Sequence, residues 1–333
     1  MKYYKVSIIL GILSIGYILY KWQNHSNIES MTVMSSKMKE IYAKYNIKID
    51  SKNQTLTKDN QTISYKNNLN SQKARAFASN KTNVNLLLSK HKMPICKLVT
   101  WNNSYSDSVN LKTINRELTF PVIVKPQSGE KGWNVFTDLY NNEDVMHKIN
   151  ILKQDRVDKI ILEEQAFGEK YRILIINQRV IFIRKDTIPA VSGDGIHTLD
   201  ALIKNFNVVN KEHPIQTIDK NVIKRQGYDM NSVVEKSKKV NVSHVVGVSN
   251  GSFEELIDIS KVNKETMKMF VDISKILDLN VCGLDYIAKD LRVPYTVDGK
   301  FIEVNANPGI SRKILNHEEI AERVIDALFM DKK

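Results

Sequence analysis

The chain has 333 residues, 42% hydrophobic and 26% charged, enough apolar material for one large multi-lobed domain or two ordinary ones, which excludes general disorder. Its 49 lysines and arginines against 37 acids give a formal net charge of +12, favouring anionic partners such as nucleotides, anionic lipids or acidic substrates. No RRM, zinc-finger or homeodomain signature turns that charge into nucleic-acid recognition, so no nucleic-acid partner is expected, and two cysteines, Cys96 and Cys282, exclude a disulfide framework or thiolate cluster.

The first element is an uncharged run, Val6 to Tyr20, flanked by Lys2, Lys5, Lys21 and Trp22. It is apolar on every face, and no small-x-small cleavage site follows between Trp22 and Asn27. Residues 1–22 therefore read as a transmembrane anchor, in preference to a cleaved signal peptide or a buried globular helix. Residues 23–70 read as a polar linker and a small α/β region. The spacing predicts an amphipathic helix over Ser35 to Tyr45, with Met38, Ile41, Tyr42 and Tyr45 on one face. Short strands follow at Ile47 to Ile49 and on both sides of the turn Lys58-Asp59-Asn60.

A helix capped by Ser79 or Asn80 runs through NVNLLLSK. Beyond Phe120, PVIVK reads as a strand, Asn142 to Leu152 as a helix and KIILEE as a strand. YRILII and RVIFI form a hairpin turning at Asn177-Gln178. HTLDALIKNF and KETMKMFVDISKIL are amphipathic helices, and DYIAKD and KFIEVNA are strands separated by a turn containing Asp298-Gly299. Such mixed lobes imply an α+β architecture.

The strongest chemical signal is the pair GLDYIAKD and FIEVNANPG. Alternate strand residues share a face, so Glu303 and Asn305 project together, with Asp285 able to meet them from a neighbouring strand. Two carboxylates and an amide oxygen are a hard donor set suited to nucleotide-bound Mg²⁺. Lys125 ends the strand FPVIVK and offers an ammonium from a rigid platform, and the loop from Gln127 to Gly132 has small residues and glycines that let backbone N–H groups approach an anion. Lys81, near the start of its helix, is a second phosphate candidate. Glu163 and Glu164 end a buried strand whose edge suits adenine and ribose, and a surface acidic pair is the other reading. His197 reads as structural. The chain has neither Walker A nor GxGxxG spacing and no Ser/His/Asp, Cys/His or zinc-spaced histidine set, which disfavours P-loop, Rossmann, hydrolase and zinc-enzyme chemistry.

Taken together, SNKTNVNLLL, FPVIVKPQSGEKG, EEQAFGEKYRILIINQRV, SGDGIHTLDALI, RQGYDMNSV and GLDYIAKDLRVPYTVDGKFIEVNANPGI resemble the ATP-grasp family. The likeness is greatest to the ATP-grasp portion of cyanophycin synthetases and to glutathione synthetase-like ligases. It implies an ATP-grasp fold, two α/β lobes gripping ATP, over residues 71–330. It also implies a carboxylate-amine ligase that uses ATP and Mg²⁺, or Mn²⁺, to form an acyl phosphate from amino acid or peptide-like substrates. On this reading Lys81 and Lys125 contact phosphates and the loop with Ser128, Gly129 and Gly132 closes over them. Glu163, Glu164 and Phe167 border the adenine, and Asp285, Glu303 and Asn305 hold the metal. Arg172, Arg225 and Arg312 neutralise the acyl phosphate or substrate carboxylate. Where the family commonly has an acid before the Tyr-Arg pair, this chain has Lys170, so the ribose contact is open. Polymer synthesis is not implied, because the second, Mur-ligase-like half of a cyanophycin synthetase has no counterpart here. Homo-oligomerisation is compatible with these features. ATP chemistry and the apolar N-terminal run together predict a single-pass membrane protein with its catalytic domain in the cytosol. The competing readings are a membrane-tethered ATP-binding scaffold without turnover and a secreted basic binding protein.

Overall fold

A computed structural model describes residues 28–30, 36–128, 134–211, 213–243 and 250–329. The first part of the chain holds β1 (Ile28–Ser30), α1 (Ser36–Lys44), β2 (Lys48–Asp50), β3 (Thr55–Lys58), β4 (Gln61–Ser64), α2 (Gln72–Ala78) and α3 (Lys81–Lys90). Next come β5 (Leu98–Thr100), α4 (Asp107–Glu117), β6 (Val122–Pro126), β7 (Phe136–Leu139), α5 (Asn142–Gln154), β8 (Ile160–Glu164), β9 (Glu169–Ile176) and β10 (Arg179–Asp186). After them are β11 (Ala190–Ser192), α6 (Leu199–Val209), α7 (Lys220–Arg225), β12 (Lys239–Asn241), β13 (Glu254–Ile257) and α8 (Lys264–Ile276). The chain ends with β14 (Val281–Ala288), β15 (Lys300–Asn305), β16 (Gly309–Ser311), α9 (Arg312–Leu315) and α10 (Glu318–Leu328).

Local chemistry accounts for several of these boundaries. Asn80, Thr198 and Asn263 cap α3, α6 and α8, each side chain accepting a bond from a backbone N–H of the first turn. Asn177 and Gln178 join β9 to β10 with φ of 45° and 63°, the left-handed pair that a two-residue hairpin with native twist requires.

Two antiparallel sheets organise the molecule. A four-stranded sheet, ordered β5-β8-β6-β7, packs its inner face on α4 and α5 through Val122, Val124 and Leu162 against Ile114, Ile149 and Leu152. A five-stranded sheet is ordered β13-β10-β9-β14-β15. One of its faces carries Tyr171, Ile173, Ile175, Leu284 and Tyr286 and is covered by α8 and α3. Its other face is divided. One end, with Leu174, Ile176, Phe182 and Val281, packs on α1 and α10; the other end carries charge. A smaller lobe, β11 and β12 with α6 and α7, has its own apolar cluster.

The expected transmembrane helix and single-pass membrane location are corrected by this architecture. Among the described residues no helix is long and apolar enough to cross a membrane. The longest described helices, α5 and α8, have 13 residues, against about 20 needed to span a bilayer. Residues 1–22, to which the anchor was assigned, lie outside the described residues.

The Phe270 ring on α8 meets Tyr286 of β14 edge-to-face, with centroids 5.0 Å apart and planes at 86°, and both side chains are buried. Phe270→Ala is expected to destabilise the protein by about 3–5 kcal/mol, read as a lowered urea midpoint with an unchanged denaturant slope.

Candidate active site

The charged end of the five-stranded sheet is built by strand register. Asp285 on β14 lies directly opposite Glu303 on β15 and directly opposite Arg172 on β9, which in turn faces Arg184 on β10. Residues opposite one another across antiparallel strands share a face, so Arg184, Arg172, Asp285 and Glu303 form one row across four strands. A register shift follows Asp285, so Tyr286 faces Phe301 and Ile302 is the extra residue. This bulge lets Phe301 and Val304 both join the apolar cluster under α8 while Glu303 keeps to the face of Asp285.

Arg172 lies across Gly283, where an added Cβ would sit 3.0 Å from its Nη1 and 2.9 Å from Pro308. The glycine thus leaves a groove for the guanidinium, closed on its far side by the proline of the Asn307-Pro308-Gly309 turn. Asn305 shapes the same turn: its Oδ1 accepts a bond from the Asn307 backbone at 2.8 Å.

Asp285 is buried and its two oxygens meet two cations. Lys170 Nζ is 3.0 Å from Oδ2, and Arg172 Nε is 2.8 Å from Oδ1. The second contact is ionic without hydrogen-bond alignment, and Oδ1 accepts no hydrogen bond. Burial opposes ionisation of Asp285, but Arg172 and then Lys170 outweigh it and hold the carboxyl below the usual carboxylate range. For Asp186, burial prevails over Arg184 and the carboxyl is pushed up. Arg184 is itself buried between Asp186 and Glu254, with Nε 2.9 Å from Asp186 Oδ1.

The second sheet and α3 close the site from the other side. Lys81 Nζ is 3.2 Å from Glu303 Oε1. The Asn80 side chain both caps α3 and accepts a 2.9 Å bond from Gln127 Nε2, tying the helix start to the end of β6. On β6, Lys125 does not emerge to solvent as expected. It is 5% exposed and paired with Glu163, which is 4% exposed. Burial disfavours the ammonium, yet Glu163 more than offsets this and the Lys125 pKa is raised. Between the sheets lies a cleft whose lining includes Lys81, Leu98, Glu163, Phe301 and Glu303.

The structure therefore draws Lys81, Glu163, Glu303 and the Asp285–Arg172 pair toward one cleft, and Lys125 joins them through Glu163. Glu164 is half-buried, and its Oε1 accepts a 3.0 Å bond from the Thr119 N–H. Phe167 is exposed beyond β8, and Ser128 is exposed beyond β6. Arg225 reaches β7 instead of this row: its Nη2 donates to Asp138 Oδ2 at 2.8 Å, and Asp138 also accepts from Gln165 Nε2 at 2.9 Å. Arg312 opens α9, but its side chain is outside those described, and Gly129 and Gly132 lie outside the described residues. His197 Nδ1 lies 2.6 Å from Asp194 Oδ2 in an exposed turn, a structural role.

Arg184, Asp186 and Glu254 were missed in the sequence, although the alternation in RVIFIRKD puts Arg184 and Asp186 on one strand face.

The residues present fit a magnesium ion. Two carboxylates oppose each other in register, an amide lies two residues along the same strand, and Asp285 Oδ1, buried beside the Arg172 guanidinium, accepts no hydrogen bond. Among the described residues no cluster of three His, Cys, Asp or Glu side chains could hold a metal, and the donors on offer here are two carboxylates and the Asn305 amide, a set that would need phosphate and water to complete an octahedron.

No protein-family model matches the sequence. The chain is 27% identical over 234 residues to the cyanophycin synthetase of Geminocystis herdmanii, covering 64% of this chain and 26% of that protein. It is 26% identical over 273 residues to the glutathione biosynthesis bifunctional protein of Listeria monocytogenes, covering 75% and 34%. The chain thus spans about a quarter to a third of the length of these relatives. Among solved structures, a bifunctional glutathione synthetase from Pasteurella multocida superposes with a TM-score of 0.56 at 20% identity over 86% of this chain and 42% of that one. A D-alanine–D-alanine ligase from Bacillus anthracis gives 0.50 at 14% identity over 78% and 69%. These likenesses establish the ATP-grasp fold, as the sequence resemblance implied.

Two outcomes follow from the ion pairs. Glu163→Ala leaves the buried Lys125 ammonium without its partner and is expected to cost about 3–5 kcal/mol in urea unfolding, with Glu163→Gln milder. The depressed pKa of Asp285 means that its stabilisation is present above the unfolded value of about 3.9 and is lost as pH falls through the lower folded value. Asp285→Asn should remove that component, so the stability difference between wild type and variant should shrink on acidification.

Proposed function

We propose that this chain, built on the ATP-grasp fold, is an ATP-dependent carbon–nitrogen ligase that activates a carboxylate as an acyl phosphate for attack by an amine. The observation that supports it most is the Arg172–Asp285–Glu303 row with Lys81 upon it, facing the Lys125–Glu163 pair. Cations already anchored by carboxylates in a partly desolvated cleft need little reorganisation to receive phosphate oxygens.

In this reading Lys81 and Lys125 exchange or share their carboxylate partners with the triphosphate. Glu163, Glu164 and Phe167 border the adenine, and Ser128 with Gly129 and Gly132 covers the phosphates. Asp285, Glu303 and Asn305 would hold a magnesium ion, which when bound would supply charge neutralisation on the phosphoryl oxygens. Arg172, fixed between Asp285 and Pro308, orients the acid or its phosphorylated form; Arg312 of α9 serves the same end, and Arg225 would join them only on leaving its Asp138 partner. A carboxylate oxygen of the substrate attacks the γ-phosphorus and ADP leaves with the bridging oxygen. The amine nitrogen then attacks the acyl carbon, inorganic phosphate departs, and the nitrogen loses its proton. The substrates are an amino acid or peptide-like acid and an amine.

No step requires a protein nucleophile. Burial pushes the Cys96 thiol up to about 12, with Glu163 adding to the shift, and burial alone raises Cys282 to about 12. Neither supplies a thiolate at neutral pH.

The test is phosphate release by the purified chain with magnesium and ATP, against pooled amino acids and dipeptides, with product mass measured in parallel. Release that depends on an acid and an amine together is expected, and Glu303→Ala should lower it about 100-fold without unfolding the protein. Nucleotide binding with no acceptor-dependent release across the pool would replace the ligase by a binding module without turnover.

A further inference from the structure

Lys170 brings a cation to Asp285, one of the carboxylates assigned to the metal. It lies on β9 opposite Ile287 of β14, one strand repeat from the Arg172–Asp285 pair, and shares the face of Arg172. Its side chain is 27% exposed, so burial does not force it inward, yet Nζ sits 3.0 Å from Asp285 Oδ2. Its neighbour Glu169 alternates to the opposite face with Tyr171, away from the row. No acid from this stretch of β9 therefore reaches the site.

The consequence is a charge balance. Lys81, Lys170, Arg172 and Arg184 are connected by ion pairs to Glu303, Asp285, Asp186 and Glu254. Four cations meet four acids before any ion or nucleotide arrives. An acid in place of Lys170 would leave the same network two charges more negative, a standing demand for divalent metal. Instead, one oxygen of Asp285 is already held by an ammonium, and the other, Oδ1, accepts no hydrogen bond but lies 2.8 Å from the Arg172 guanidinium.

We propose that Lys170 is a resident cation of the metal site: it retains Asp285 Oδ2, restricts Asp285 to one-oxygen ligation, and limits the site to a single, loosely held divalent ion per nucleotide. The proposal rests on the ligase reading, because it assigns the metal to Asp285, Glu303 and Asn305. Lys170 is a positioning residue acting through Asp285. It also supplies positive charge that persists without metal, so part of the nucleotide affinity survives chelation.

The experiment is a Mn²⁺ titration of the full chain with adenylyl imidodiphosphate, following free Mn²⁺ by electron paramagnetic resonance and nucleotide binding by calorimetry with and without EDTA. Wild type should bind one Mn²⁺ per nucleotide. Lys170→Met should tighten Mn²⁺ binding about tenfold, the direction set by removing a like charge within a few ångströms, and should weaken nucleotide binding in EDTA several-fold. Lys170→Arg should keep both wild-type values, and Lys170→Glu should admit a second Mn²⁺. A merely structural lysine would shift the unfolding midpoint and leave the metal stoichiometry alone. Unchanged or weaker Mn²⁺ binding in both Lys170→Met and Lys170→Glu, with folding intact, overturns the proposal. Failure of wild type to bind the nucleotide at any Mn²⁺ concentration overturns the ligase reading and this one with it, a result told apart by its appearance before any substitution.

Discussion

One carboxylate, Asp285, holds the charged end of the central sheet together. It is buried, it meets Arg172 on the neighbouring strand and Lys170 beside it, and it lies in register with Glu303 on the other side. Two cations without it would sit in a poorly solvated groove with no anion between them, a loss of several kcal/mol. Its position follows from the sheet: Leu284 and Tyr286 on either side must face α8, which leaves Asp285 the opposite face.

That opposite face has two tenants. Where α1 and α10 cover it, the strands present Leu174, Ile176, Phe182 and Val281. Where the cleft opens, the same strands present Lys170, Arg172, Arg184 and Asp186. A single strand such as β9 therefore reads as apolar on both faces at one end and as half-charged at the other, because what covers it changes along its length. The β15 bulge belongs to the same design, since without Ile302 as an extra residue Phe301 and Glu303 would compete for one face.

The opposing sheet brings a second, more deeply buried ion pair, Lys125 with Glu163. Such a pair contributes little net stability compared with an apolar replacement, and its retention is better understood through positioning. Lys125 is held charged by Glu163, which itself lines the cleft, while Gln127 links the end of its strand to the cap of α3 and so to Lys81. The two candidate phosphate lysines come from distant parts of the chain, yet one hydrogen-bonded connection couples their backbones.

Much of the scaffold was legible from local pattern. The spacing of Met38, Ile41 and Tyr42 marked α1, Asn80 marked the start of α3, and Asn177-Gln178 marked the β9–β10 turn. The strands bearing Asp285 and Glu303 were readable too, and so was their shared face. α10 went unread although Ile320, Ala321, Val324, Ile325 and Leu328 form one stripe, and the short strands β7, β11 and β12 carry too few residues to show a period. Periodicity and capping are properties of neighbours along the chain, which is why the amino-acid order alone determined most of the elements and their inward faces. The partner of each charge was decided only by tertiary structure: Lys125 on Glu163, Lys81 on Glu303, Arg225 on Asp138, and Lys170 with Arg172 on Asp285. Those contacts depend on which strands become adjacent and in what register, and on burial deep enough to make an unpaired charge untenable, conditions that exist only once distant segments meet.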